Sequence, residues 1–213
     1  MSDTGILVVL SGFAGSGKGT IIRELLKKYD NYSLSVSATT RAPREGEVEG
    51  VHYFFKTEDE FKKMIEQGEL LEYANYVGNY YGTPRQYVKD QLASGRNVIL
   101  EIETEGALNI KRAYPDAVLV FVMPPSVEEI HNRLKNRGTE TEEVIAKRMK
   151  KAGLEITVVD RYDYLMINDV IEESVELFND IVESQHMAVS RNHDYIEEKK
   201  KEFEEYLSRK KEN

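Results

Sequence analysis

A chain of 213 residues, 40% of them hydrophobic, can bury one α/β core with an appended unit. Its net charge of -9 and isoelectric point of about 5.1 argue against nucleic acid or an anionic membrane as partner, so its cations should act locally. With no cysteine, no apolar run of membrane-spanning length and a strand that starts almost at Met1, a cytoplasmic protein without disulfides, thiolate metal centre or signal peptide is expected.

Ile6-Leu7-Val8-Val9-Leu10 has the composition of a buried strand. The turn Gly12-Phe13-Ala14-Gly15-Ser16-Gly17-Lys18-Gly19-Thr20 follows, and then a helix with apolar residues at 21, 22, 25 and 26. A glycine-rich turn between strand and helix lets backbone N–H groups converge on a phosphate chain at the helix N-terminus. Lys18 adds a mobile positive charge for the outer phosphates. Gly19 stands where such loops usually carry a hydroxyl, with Thr20 one place later, so a Mg²⁺ ion would have fewer direct protein ligands there and more water and phosphate.

Residues 32–36 read as a second strand and 37–47 as a polar loop containing Ser37, Arg41 and Arg44. A strand is expected at 51–55. Thr57 and Glu60 form a capping box for a helix through Gln67, and Gly68 stops it. Residues 70–77 and 80–83 read as a hairpin, with Pro84 in the first turn of a helix to Ser94. Strands are then expected at 97–102, 117–122 and 165–168, with helices at 105–113, 126–135, 140–159 and 174–185 between and after them. Short apolar strands alternating with helices mean a parallel sheet covered on both faces. From about Arg191, Lys and Glu dominate. Tyr195, Ile196, Phe203, Tyr206 and Leu207 still recur at helical spacing, so a solvated helix docked on the core by one narrow stripe is expected.

The glycine loop together with Ser37-Ala38-Thr39-Thr40-Arg41-x-x-Arg44-x-Gly46-Glu47, Gly50-x-x-Tyr53-x-Phe55, Tyr80-Tyr81-Gly82-Thr83 and Leu100-Glu101-Ile102-Glu103 resembles guanylate kinase. Pro124-Pro125-Ser126, Arg137-Gly138-Thr139-Glu140 and Tyr162-Asp163-Tyr164 continue the likeness over roughly residues 5 to 186. The resemblance implies a P-loop core within a domain of residues 4–186, a mixed or antiparallel monophosphate-binding subdomain at 37–95 and a helical lid at 133–156. Residues 187–213 are then a charged extension. It implies transfer of the γ-phosphoryl group of ATP to GMP, with dGMP a further candidate acceptor, by a monomer or homodimer.

The likeness also assigns residues. Gly12 to Thr20 and Arg137 would hold ATP, and Lys18, Arg41, Arg137 and Arg148 would serve phosphoryl transfer. Arg41 and Arg44 would grip the GMP phosphate with Tyr53 and Tyr81. Glu72 and Thr83, assisted by Ser37, would read guanine: the carboxylate accepts from N1–H and the 2-amino group, and the hydroxyl donates to O6. Glu103 would lie on the GMP side, although the family more often has Asp there and Gln where Glu105 stands. Mg²⁺ would arrive with ATP, held mainly by phosphate and water, with Thr20 and Glu101 as candidate contacts.

Chemistry agrees with this assignment. A phosphate monoester already carries its nucleophilic oxygen near neutral pH, so no general base is required, and placing two polyanions calls for guanidinium forks. The rival readings are a kinase for another small phosphorylated acceptor and a non-catalytic peptide-binding module of the same fold. The four histidines are scattered and form no metal set.

Overall fold

The computed structural model describes residues 4–76, 78–136 and 141–211. In chain order it begins with β1 (Leu7–Gly12), α1 (Lys18–Lys28), β2 (Tyr32–Leu34), β3 (Ala38–Thr39), β4 (Phe54–Phe55), α2 (Glu58–Glu66), β5 (Leu70–Tyr76), β6 (Asn79–Pro84) and α3 (Arg85–Ala93). It continues with β7 (Asn97–Glu101), α4 (Thr104–Ala113), β8 (Val118–Met123), α5 (Val127–Asn136), α6 (Glu142–Glu155), β9 (Tyr164–Ile167), α7 (Ile171–His186) and α8 (His193–Lys211).

Five parallel strands form the main sheet in the order β2-β7-β1-β8-β9. The apolar run of β1 is continuous because both faces of this central strand are covered. Val8 and Leu10 join a cluster with Ile21, Leu25, Val120, Phe178 and Val182, while Leu7 and Val9 join Val98, Leu100, Ile110 and Leu119 on the other side. The glycine-rich turn emerges from the C-terminal end of β1, the usual position for ligand contacts in such sheets.

A second, four-stranded sheet has the order β4-β3-β6-β5. Here β3 and β4 are parallel, and β6 runs antiparallel to both β3 and β5. Its own core is small: Ala38, Phe61 and Leu70, with the Phe61 ring stacked on Tyr80 at 5.4 Å. β5 ties the two sheets together. Its register with β6 slips between Leu70 and Tyr73, and Leu70 and Leu71 then pack into different cores. A bulge re-aims side chains, and this one leaves Leu70, Leu71 and Glu72 all buried in succession.

Several elements differ from the sequence expectation. The loop at 37–47 contains β3, because Ala38 and Thr39 find partners distant in sequence. The strand expected at 51–55 narrows to Phe54–Phe55, and Pro84 ends β6 and precedes α3 instead of entering its first turn. The helix expected at 140–159 is α6 followed by a 3₁₀ stretch, Ile156–Arg161. The β-branched run Ile156-Thr157-Val158-Val159 disfavours continued α-helix. α7 begins at Ile171, three residues before Ser174, whose hydroxyl is used elsewhere. The capping box at Thr57 and Glu60 is present as expected.

The stripe on α8 does not dock. Phe203, Tyr206 and Leu207 remain 68%, 55% and 56% exposed.

Phe61→Ala should destabilise the second sheet by about 3–5 kcal/mol, the usual cost of deleting a buried ring. Because that core is separate, amide hydrogen exchange should speed up in β3, β5 and β6 while β1, β7 and β8 keep their protection. Uniform loss of protection would show that the two sheets unfold as one.

Candidate active site

The turn after β1 is shaped by its contacts. Gly17 has a φ of 93°, and a Cβ there would fall 2.2 Å from the Asn168 amide nitrogen. Asn168 follows β9, is fully buried, and donates from Nδ2 to the Ser16 carbonyl at 2.7 Å. Ser174 Oγ holds Asn168 in turn by donating to its Oδ1 at 2.9 Å. Phe13 packs edge-on against Phe121, and both belong to a cluster with Ile130, Leu134, Ile145 and Ala152 that joins the turn to α5 and α6. Ala14 borders the same cluster, and Arg133 and Leu134 of α5 lie beside Gly15. Gly19 faces open space and Thr20 is half-buried. Ser16 Oγ is buried without a hydrogen-bond partner among the described residues.

Lys18 folds back over the turn. Its Nζ donates to the Gly12 carbonyl at 2.7 Å and the Phe13 carbonyl at 3.1 Å. Burial lowers its pKa, against the attraction of Glu101, Glu103 and Glu155. Glu101 reaches solvent, yet desolvation raises its carboxyl pKa despite the pull of Lys18. Glu103 turns toward α6, where Lys151 lies 2.5 Å away and also pairs with the buried Glu155 at 3.4 Å. Burial raises the Glu155 carboxyl, with Lys151 opposing. This row links the end of β7 to α6, the helix that carries half-buried Arg148. Arg137 lies outside the described residues.

The second sheet contributes two groups. In the first, Arg41 Nη2 donates to Glu47 Oε1 at 2.8 Å, and its guanidinium lies 5.2 Å from the Tyr53 ring centroid. Tyr53 packs edge-on against Tyr81. Hydrogen bonding to Glu47 raises the Arg41 pKa, and the bonds from Arg41 and the Arg44 backbone hold the Glu47 carboxyl down at about 2. The Arg44 side chain is exposed, while its backbone N–H donates to Glu47 Oε2 at 2.7 Å. Ser37 is half-buried, and its carbonyl accepts from the Phe54 N–H.

In the second group Thr83 Oγ1 donates to Glu72 Oε1 at 2.8 Å, with both residues buried. Burial raises the Glu72 carboxyl pKa more than this bond lowers it. A Cβ on Gly106, in the first turn of α4, would stand 3.0 Å from Glu72 Oε2, a tight contact that would make the carboxylate give by a few tenths of an ångström. Glu72 thus lies against the first turn of α4, and Glu103, which precedes that helix, acts on Lys18 through its charge.

Sequence reasoning missed the supporting residues. Glu47 lies inside the quoted motif, but its grip on Arg41 has no local signature. Asn168, Gly106 and Lys151 act across long sequence separations. The expectation that Thr83 donates to a ligand meets a competitor, since its single proton is directed at Glu72.

A family model described as "Guanylate kinase" matches residues 4–185. A guanylate kinase of Halalkalibacterium halodurans is 54% identical over 86% of this chain and 90% of its own length. One of Streptococcus pneumoniae is 50% identical over 90% of this chain and 92% of its own. In structure, the chain is similar to a guanylate kinase from Anaplasma phagocytophilum, with a TM-score of 0.72 and 34% identity, covering 90% of this chain and 91% of the other.

Glu72→Gln should raise thermal stability at pH 7 to 8, because the wild-type carboxylate bears the cost of burying a charge. A carboxyl whose folded pKa is raised binds its proton more tightly when folded. Wild type therefore loses stability as pH rises through the ordinary carboxylate range toward the folded value. The variant's advantage should shrink at acid pH. Melting temperatures measured from pH 4 to 8 check this, and a gain that grows toward acid would contradict it.

Proposed function

The chain belongs to the guanylate kinase family, and from that premise we infer how its residues carry the γ-phosphoryl group from ATP to GMP, giving ADP and GDP. The observation that carries the reading is the buried Glu72 carboxylate on the second sheet, held by Thr83 and packed against the first turn of α4.

Guanine presents N1–H and the 2-amino group side by side, and Glu72 can accept from both. Thr83 orients the carboxylate by donating to Oε1. Arg41 and Arg44 receive the monophosphate, with the Tyr53 and Tyr81 hydroxyls beside them. Glu47 holds Arg41 until then, and the arriving phosphate replaces one carboxylate by another anion. The ATP phosphates lie on the backbone N–H groups of residues 12–20, and the unpartnered Ser16 Oγ suits a phosphate oxygen there. Lys18 leaves the Gly12 and Phe13 carbonyls to follow charge passing from the γ- to the β-oxygens. Arg148 of α6 serves the transferring group, and the family resemblance gives the same task to Arg137, which lies outside the described residues. Residues 37–95 form the monophosphate-binding subdomain, 133–156 the lid region, and 187–213 an extension.

Mg²⁺ fits this donor set: Thr20 and Glu101 border the turn, and the open space at Gly19 leaves room for water and phosphate ligands. When bound, the ion neutralises charge on the transferring phosphates. No helix among the described residues is long and apolar enough to cross a membrane, and the reading places the reaction in the cytoplasm.

Two measurements test the assignment. Lys18→Met should fold normally by circular dichroism and lose at least about 100-fold in kcat, the scale of one charge-stabilising donor. Turnover within about threefold of wild type, roughly 0.65 kcal/mol, would remove Lys18 from the mechanism. GMP should be preferred to AMP by roughly 10⁴ in kcat/KM, because adenine offers a lone pair where Glu72 needs a donor. Glu72→Gln should narrow that ratio chiefly by losing GMP. A variant that keeps the full preference would mean another residue reads the base.

A further inference from the structure

Lys151 has no task in the chemistry above, yet its charge reaches the phosphate turn. There it opposes protonation of Lys18, while Glu101, Glu103 and Glu155 favour it. The Lys151 Nζ stands between two carboxylates, 2.5 Å from Glu103 Oε2 and 3.4 Å from Glu155 Oε1. Glu103 belongs to the end of the main sheet, two residues past β7 and immediately before α4. Glu155 is the last residue of α6.

The two carboxylates differ in freedom. The Glu103 side chain is 63% exposed and that of Glu155 only 7%. Burial raises the Glu155 carboxyl pKa, Lys151 pulls it down, and the charge of Glu103 pushes it up. The two acids are therefore near enough to repel each other, and the ammonium between them offsets that repulsion. An exposed ion pair contributes little by itself, because two long side chains must be immobilised to form it. Here Lys151 is already held from behind by a buried carboxylate four residues along its own helix, so the contact with Glu103 costs less freedom.

Arg148, Lys151 and Glu155 recur at helical spacing and share one side of α6. The adjoining side carries Ile145, Met149 and Ala152 into the cluster with Phe13 and Phe121. Apolar packing thus holds α6 against the turn, and the Lys151–Glu103 contact ties its neighbouring side to the strand end.

We propose that Lys151 is a positioning residue for phosphoryl transfer: by clasping Glu103 from α6 it fixes where Arg148, one turn earlier on the same side, stands against the transferring group. The proposal rests on the reading above, in which Arg148 serves that group. Without the clasp, Glu103 and Glu155 repel each other across the gap. The apolar contacts of α6 preserve the fold, but the alignment of Arg148 is lost. A displacement of about 1 Å is enough to slow a transfer reaction by as much as about 100-fold.

Steady-state kinetics with ATP and GMP test the proposal. Lys151→Met should lower kcat by about 10- to 100-fold. Both KM values should stay within about threefold, and circular dichroism should match wild type. Lys151→Arg keeps a cation between the carboxylates and should retain at least about half of the wild-type kcat. The deciding comparison uses Arg148→Ala as background. There Lys151→Met should cost less than about twofold more, because the group it places is gone. Glu103→Ala, at an exposed position, should lose kcat to the same degree as Lys151→Met and also add little on that background. A Lys151→Met kcat within about threefold of wild type overturns the proposal, as does a Lys151→Arg variant equally slow. A loss that persists in full on the Arg148→Ala background also overturns it, making Lys151 a direct phosphate contact or a general support of the fold. A wild type that does not phosphorylate GMP would overturn the reading itself, and the proposal with it.

Discussion

Two substrates rich in negative charge must lie side by side on a chain that is itself negative. In the structure three cations near the turn and on the second sheet are engaged by groups of the chain itself. Lys18 sits on the Gly12 and Phe13 carbonyls, Arg41 on Glu47, and Lys151 on Glu103 and Glu155. Each partner limits the cost of placing a charge near protein instead of water. The scaffold therefore pre-positions its cations without a strongly positive surface, which agrees with an overall charge of -9.

The geometry of the turn depends on the far edge of the main sheet. β9 pairs only with β8 in that sheet, and Asn168 directly after it fixes the Ser16 carbonyl. Asn168 N–H donates to the Met123 carbonyl at the end of β8, so the register of that strand pair sets where the amide points. Opposite it, β5 carries Leu71 into the main core and Leu70 into the small one. The two sheets are joined at this bulge, while the rest of the second sheet has only a small core of its own.

What could be read from the sequence follows from how local each feature is. The glycine turn and the Thr57–Glu60 capping box are written in nearby residues, and both are present. The buried strands were readable because β1, β7 and β8 are covered on both faces. The two-residue strand β3 was not, since its partners lie far along the chain. Nor was the end of α6, where a β-branched run and tertiary packing together decide between α and 3₁₀ geometry. In the site, residue types were legible through the family resemblance. Their present partners were not: Glu103 with Lys151, Thr83 with Glu72 and Asn168 with Ser16 are separated by 48, 11 and 152 residues.

In the proposed reading, the bond from Thr83 to Glu72 sets the resolution of base recognition. A hydroxyl has one proton, and here it is committed to the carboxylate. With Glu72 as reader, the base is sensed by the donors it offers at N1 and C2, and its 6-position counts for less. Hypoxanthine keeps N1–H and lacks the 2-amino group. Its monophosphate would leave one of the two carboxylate contacts unmade, and it would fall between GMP and AMP. Selectivity would then be graded by the number of donors a purine presents along that one edge.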